Sequence, residues 1–239
     1  MTASPSTDER HHRDISGGGA RAAVFGVSDG LVSNTSLVLG IAGASAGGSF
    51  VRLAGLAGLL GGAFSMAAGE YISMRAQREL YQRELDIERR ELERHPRSEM
   101  RELVSLYERR GLPPTLARTV AEQMMADPDL ALETHASEEL GITPGSQGNP
   151  VQAALSSFLT FAVGALMPLL PFLFMSGGRS ATLVAVALGG GSALVVGALL
   201  AIFTERKWWV SALRQLVICA IAGAVTYGIG AAVGVSRVG

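Results

Sequence analysis

A run of glutamates recurs at one-turn spacing in the segment RAQRELYQRELDIERRELER, which begins at Arg75. Residues three or four apart share a face of a helix, so this segment presents a stripe of carboxylates. Four acids form two such pairs, one on each side of a His-Pro break: Glu88 with Glu91, and Glu99 with Glu102. Two helices folded back on each other at the break would bring the four carboxylates together. Clustered carboxylates are hard oxygen ligands that suit Mg²⁺, Ca²⁺, Mn²⁺ and Fe²⁺.

A second group of candidate ligands lies further along the chain, in the segment ALETHASEELG. It contributes His135, Glu138 and Glu139. Imidazole favours transition ions over Mg²⁺ and Ca²⁺, so we expect a divalent transition metal. The pattern is equally typical of a solvated helical hairpin with exposed Glu–Arg pairs, and spacing alone does not separate the two interpretations.

Two further carboxylates stand in otherwise apolar sequence. Glu70 is the only ionisable residue of LAGLAGLLGGAFSMAAGEYISM, and Met66 and Met74 lie one helical turn away on either side. Asp29 is the only charge in GVSDGLVSNTSLVLGIAGA. A carboxylate inside a bilayer costs at least about 2.5–3.5 kcal/mol, so both acids should face a bundle interior or an aqueous cavity. The plainer alternative is an acid that hydrogen-bonds a neighbouring helix.

The distribution of charge predicts the elements that position these residues. Charged residues concentrate between Arg75 and Gly148, while five long stretches elsewhere are almost free of charge. A membrane span needs about 20 predominantly apolar residues. We therefore predict an all-α membrane protein with five transmembrane helices and a helical insert between the second and third. The predicted parts are a disordered tail (1–19), transmembrane helices 1 and 2 (20–74), a cytoplasmic metal-binding helical domain (75–148) and transmembrane helices 3 to 5 (149–239).

The second span is expected to continue without interruption into the insert. After Gly69 the segment from Leu53 to Arg94 contains no Pro or Gly, which predicts one long helix that leaves the membrane. Further breakers divide the insert into about four helices. Asp127 should cap the last of them, with Pro128 in its first turn and Gly141 at its end.

Flanking positive charges predict the orientation of the chain. Most Arg and Lys residues of the short loops fall on the side of the N-terminus and the insert, so these face the cytoplasm and the C-terminus lies outside. Richness in Ala, Gly and Arg with little Lys favours a bacterial plasma membrane. A formal net charge of −1 gives no electrostatic reason to bind nucleic acid, and the single cysteine, Cys219, excludes an intrachain disulfide. His11 and His12 in the tail are more typical of solvated residues than of metal ligands.

Four segments of the chain resemble the vacuolar iron transporter family. They are VSDGLVSN in the first span, SMAAGEYIS in the second, the insert ending ETHASEELG, and QAALSSFLTFAVGALMPLLPFLF in the third. The resemblance covers Arg21 to Val235. It implies five transmembrane helices and a homodimer whose second helices extend into a cytoplasmic metal-binding domain. It also implies proton-coupled export of Fe²⁺ from the cytosol, with Mn²⁺ often accepted.

The resemblance also assigns roles to residues by position. Asp29 and Met66 match membrane-path residues of the family. Five glutamates match ligands of its metal-binding domain: Glu88, Glu91, Glu99, Glu102 and Glu139.

The chain departs from better-studied plant members of that family at several positions. Ala22 and Gly58 stand where those members carry acids, and Glu70 stands where they can have a small residue. A methionine pair of the family's last insert helix is replaced by His135 and Ala136. The acid of the path is therefore expected to have moved to Glu70, and the soft-ligand character of the insert to have changed.

These observations predict an exporter of Fe²⁺ and Mn²⁺ by proton antiport, with Asp29, Met66 and Glu70 along its path. The metal ions are substrates, no cofactor is expected, and the expected partners are a second copy of the chain and membrane lipid. The alternative is a membrane-anchored metal sensor or interaction protein, which would gain nothing from buried acids. An enzyme is less favoured because the paired Glu-x-x-His motif of di-iron bundles is not evident. The absence of a Walker phosphate loop argues against ATP-driven pumping by this chain alone.

Overall fold

The computed structural model of the chain describes residues 18–44, 47–139, 141, 148–204 and 206–235. These residues form eight α-helices and no strands, which confirms the predicted all-α class. The predicted tail, with His11 and His12, lies outside the described residues except for Gly18 and Gly19. Those two glycines already belong to the first helix, so the helix begins slightly earlier than expected.

Five of the eight helices are long and apolar enough to cross a membrane, which confirms the predicted number of spans. They are α1 (Gly18–Gly43), α2 (Gly48–Arg94), α6 (Pro150–Phe174), α7 (Gly178–Thr204) and α8 (Trp208–Val235). Three shorter helices lie between the second and third spans: α3 (Pro96–Arg109), α4 (Pro114–Met124) and α5 (Pro128–Glu138). The chain thus has the architecture of a membrane protein with a helical insert.

Helix α2 joins the membrane part of the chain to the insert. It runs without a break for 47 residues, which corresponds to about 70 Å. Its last turn closes with the His95 backbone N–H donating to the Glu91 carbonyl at 2.7 Å. Pro96 then opens α3, where the proline ring fits a first helical turn. The long helix predicted from the sequence is therefore present.

Local capping explains where the insert helices begin. Asp127 Oδ1 accepts hydrogen bonds from the backbone N–H groups of Asp129, at 2.9 Å, and Leu130, at 3.2 Å. Pro128 occupies the first turn of α5, and Gly141 follows the helix with a left-handed φ of +64°. The predicted cap of the last insert helix is therefore confirmed. Buried apolar side chains complete the insert: Leu103, Leu106, Ala117, Ala121 and Ala131.

Helix α1 is the centre of the membrane bundle, because it packs against all four of the other spans. Glycines permit the closest of these contacts. A Cβ atom at Gly30 would overlap the backbone carbonyl of Phe161 on α6, and one at Gly230 of α8 would overlap the carbonyl of Gly40. The backbone of α1 therefore lies directly against α6 on one side and against α8 on another.

Candidate metal-binding cluster and membrane path

The insert gathers acidic side chains around one buried imidazole. His135 lies on α5 and is fully buried where α5 packs against the part of α2 that bears Glu88. Its Nδ1 atom is 2.9 Å from Glu139 Oε1, 3.3 Å from Glu88 Oε1 on α2 and 3.9 Å from Glu99 Oε2 on α3. Three separate parts of the insert therefore direct carboxylates at a single nitrogen atom, and the bend at the His-Pro break makes this possible.

The ligand atoms of the cluster form two groups that share one residue. The first group is Glu88, His135 and Glu139, and the second is Glu99, Glu102 and Glu139; within each group the atoms lie within 4.8 Å of one another. A divalent ion binds oxygen ligands at about 2.0–2.6 Å, so each group is compact enough to surround one ion. The mixture of one imidazole with carboxylates suits Fe²⁺, Mn²⁺ or Zn²⁺ better than Mg²⁺.

Burial and mutual repulsion make the cluster unfavourable without a cation. Burial raises the pKa of Glu88 above its ordinary value, and the negative charges of Glu139, Glu99 and Glu102 raise it further, while His135 opposes them. Burial also raises the pKa of Glu99, and so does the neighbouring Glu102. The cluster therefore favours bound protons or a bound cation over four free charges.

Two of the predicted insert ligands have other partners. Glu91 Oε2 lies 2.8 Å from His95 Nδ1, and the two side chains are 45% and 60% exposed. Glu138 forms an ion pair with Arg110 at the end of α3. His95 and Arg110 were not anticipated as partners, although the position of His95 four residues after Glu91 was a visible signal. The structure thus assembles Glu88, Glu99, Glu102, His135 and Glu139 and leaves Glu91 and Glu138 outside the two groups.

In the membrane part, Asp29 of α1 lies on an exposed stripe and does not face the interior of the five-helix bundle, unlike the expectation from the sequence. Residues at four-residue spacing share this face: Phe25, Asp29, Ser33 and Leu37. Ser33 Oγ donates to Asp29 Oδ1 at 3.5 Å. On α2, Glu70 and Met66 are half-buried, and Met66 packs against a cluster formed by Ala63 with residues of α6. The stripe and Met66 are thus presented by the adjacent helices α1 and α2.

Polar side chains in the spans form hydrogen bonds between helices. Gln215 Nε2 on α8 donates to Ser28 Oγ on α1 at 2.7 Å. Asn34 Nδ2 on α1 donates to the Ala165 carbonyl of α6 at 2.6 Å. Both residues were visible in the sequence as polar positions in apolar segments, but their partners lie more than a hundred residues away.

These features define an integral membrane protein with five spans and a helical insert that gathers candidate metal ligands. The sequence profile of the VIT family matches residues 20–231, so the chain belongs to that family. It is 36% identical over 233 residues to the vacuolar iron transporter of Acanthamoeba castellanii, an alignment that covers 95% of this chain and 84% of that protein. It is 34% identical over 225 residues to vacuolar iron transporter 1 of Oryza sativa subsp. japonica, covering 94% and 88% of the two chains. Vacuolar iron transporter 1 of Arabidopsis thaliana is 28% identical over 207 residues, covering 87% and 83%.

Proposed function

We propose that this chain carries Fe²⁺, and also Mn²⁺, out of the cytosol across a membrane in exchange for protons. The relatives are named as iron transporters, which supports iron as a substrate. The observation that carries the proposal is the continuity of α2. One unbroken helix bears Glu88 of the buried cluster near its C-terminal end and Met66 and Glu70 of the membrane part near its middle.

The order of these residues along α2 suggests an order of events. The cluster of Glu88, His135 and Glu139 collects the ion on the cytoplasmic side. Glu70 lies 18 residues from Glu88 on the same helix, which is about 27 Å at the rise of an α-helix. An ion released by the insert reaches Glu70 first and then Asp29 and Met66, which lie about one turn deeper in the membrane.

Exchange of metal for protons follows from the chemistry of the path residues. In the proposed exchange a metal ion and protons compensate the charge of Asp29 in turn, because an uncompensated carboxylate in a bilayer is costly. An arriving ion displaces the proton, and the departing ion is replaced by one. The insert obeys the same rule, because its crowded carboxylates require neutralisation. Both sites therefore couple metal movement to proton movement without any nucleotide.

The exposed stripe of α1 supports assembly of two copies. If Asp29 and Ser33 faced lipid, they would place a carboxylate and a hydroxyl in hydrocarbon. The carboxylate alone would cost at least about 2.5–3.5 kcal/mol. A second copy that covers this stripe with its own would enclose a polar path between the two protomers. We infer a homodimer with the N-terminus and the insert in the cytoplasm and the C-terminus outside, in a bacterial plasma membrane.

Reconstitution into proteoliposomes tests the transport proposal directly. Vesicles with an imposed pH gradient and an internal metal-sensitive dye should take up Mn²⁺, or Fe²⁺ under reducing conditions, with matching proton movement. Asp29→Asn should abolish the flux while the detergent-solubilised protein still binds Mn²⁺. Asp86→Asn is the matched control, because Asp86 is an exposed aspartate that pairs with Arg89 on the surface of α2.

The alternative function gives a different result in the same experiment. A membrane-anchored metal sensor would bind Mn²⁺ but show no flux in the wild type. Normal proton-coupled flux through Asp29→Asn would contradict the proposed path while leaving transport itself intact.

A further inference from the structure

Asn34 is a buried side chain of α1 whose orientation is determined by a neighbour. It is 2% exposed, and its amide nitrogen donates to the Ala165 carbonyl at 2.6 Å. A backbone carbonyl can only accept a hydrogen bond, so the atom that faces it has to be Nδ2. The amide oxygen, Oδ1, must therefore point away from α6.

That oxygen has no hydrogen-bond partner among the residues that the structure describes. A buried acceptor left without a donor costs about 1–3 kcal/mol in proteins. The hydrocarbon core of a membrane offers no water to satisfy it. Such a group in a native fold calls for a physical explanation, and a bound ion is one of the few available.

The surroundings of Asn34 Oδ1 place it at the contact between α1 and α2. A Cβ atom on Gly58 of α2 would lie 3.0 Å from Asn34 Oδ1 and would overlap the Cδ2 atom of Leu37. The oxygen therefore faces Gly58, a position of α2 without a side chain, and Leu37 of the exposed stripe packs against the same position.

Asn34 also lies next in line on the proposed route. It is five residues beyond Asp29 on α1, which is about 7.5 Å further from the cytoplasm. Gly58 lies eight residues beyond Met66 on the antiparallel α2, which is about 12 Å in the same direction. Asn34 is thus the first buried polar side chain outward of Asp29 on α1, turned by about 140° from the exposed stripe.

We propose that Asn34 Oδ1 is a further ligand for the transported divalent cation, on the outward side of Asp29. This inference rests on the proposed transport function. An amide oxygen is a hard ligand that coordinates Mn²⁺ and Fe²⁺ without adding charge. Conduction requires sites that bind an ion strongly enough for it to enter and weakly enough for it to leave. A neutral ligand after a charged one meets that requirement, and Leu37 must move aside for the ion to reach it.

Two substitutions at Asn34 distinguish a metal ligand from a residue that only holds α1 against α6 by its hydrogen bond. Asn34→Leu and Asn34→Asp both remove the Nδ2 hydrogen bond to Ala165, but only the aspartate keeps an oxygen ligand. In proteoliposomes, Asn34→Leu should raise the KM for Mn²⁺ at least about tenfold, the loss expected for a contact to a charged group. Asn34→Asp should lower the KM and slow the turnover, because the added charge holds the ion more tightly.

Thr35→Val is the matched control. Thr35 is the next residue and equally buried, but it lines a cavity of about 920 Å³ bounded by α7 and α8 on another side of α1. Its replacement should leave the KM for Mn²⁺ unchanged. Thermal unfolding of each variant in detergent reports whether the fold is retained.

Three outcomes overturn the inference. Equal KM values in Asn34→Leu and wild type would show that the oxygen is not a ligand, with the proposed function left standing. An equal rise of the KM for Mn²⁺ in the leucine and aspartate variants would show that Asn34 acts only by bridging α1 and α6. A wild-type protein without any Mn²⁺ or Fe²⁺ flux would overturn the transport function and this inference together.

Discussion

Glu139 belongs to both ligand groups of the insert, so its replacement tests the whole cluster at once. Glu139→Gln keeps the size of the side chain and one oxygen atom but removes the charge. Two unit charges 4 Å apart interact by about 4 kcal/mol at an effective dielectric constant of 20. The Glu139 side chain is 20% exposed, and the remaining amide oxygen can still coordinate, so the loss should be about 2–4 kcal/mol.

That range corresponds to a roughly 30- to 700-fold weaker Kd for Mn²⁺. Titration calorimetry on the detergent-solubilised full-length protein at pH 7 would measure it. Because Glu139 serves both groups, the number of ions bound at moderate Mn²⁺ concentration should fall as well. The same titration at pH 5 should show weaker binding by the wild type, since protons compete for the carboxylates.

The neighbouring residue supplies the control for this experiment. Glu138 differs from Glu139 by one position but pairs with Arg110. Glu138→Gln should change the Kd for Mn²⁺ by no more than about threefold, because partly exposed ion pairs contribute little. If Glu139→Gln binds Mn²⁺ like the wild type, or if Glu138→Gln loses as much affinity, the two proposed groups are not the binding sites.

Three other expectations can be checked separately. The raised pKa values of Glu88 and Glu99 mean that the folded state binds protons more tightly than the unfolded state. The thermal midpoint of the metal-free protein should therefore fall as the pH rises from about 4.3 through the raised values, and Mn²⁺ should restore it at pH 7. Met66→Leu, nearly equal in size, should reduce Fe²⁺ flux more than Mn²⁺ flux in proteoliposomes, because it removes a soft thioether; equal reductions would argue against ligation by the sulfur. Gly30→Ala should lower the free energy of unfolding by about 1–3 kcal/mol, and with it the thermal midpoint in detergent, because the added methyl group overlaps the Phe161 carbonyl. An unchanged midpoint would show that α1 and α6 can separate freely.

Residue patterns along the chain predicted the helices well because the relevant forces are local. The five spans follow from apolar length, the long α2 from a lack of breakers, and the start of α5 from Asp127 and its proline. Each of these features depends on residues within a few turns of one another. The choice of ligands is a different problem, since a periodic stripe of carboxylates shows which face they share but not what lies opposite.

Glu138 and Glu139 illustrate this limit. Both are adjacent acids at the end of a helix, and nothing in their local sequence distinguishes them. Arg110, at the end of another helix, pairs with the first, while His135 on the same helix holds the second. Asn34 is a similar case. The Ala165 carbonyl, 131 residues away, binds the amide nitrogen of Asn34 and so determines that the amide oxygen points elsewhere.

The continuity of α2 has a mechanical consequence. A helix that crosses the membrane and continues into the insert moves as one rigid body. A tilt of its membrane part therefore also displaces its end in the insert. A tilt of about 10° around Gly62 would carry Arg94, about 48 Å along the axis, sideways by about 8 Å. No glycine or proline lies between Glu70 and Arg94 to absorb such a movement. A small tilt of the membrane part of α2 is therefore magnified at the end of α2 in the insert, and a movement of the insert acts directly on the span.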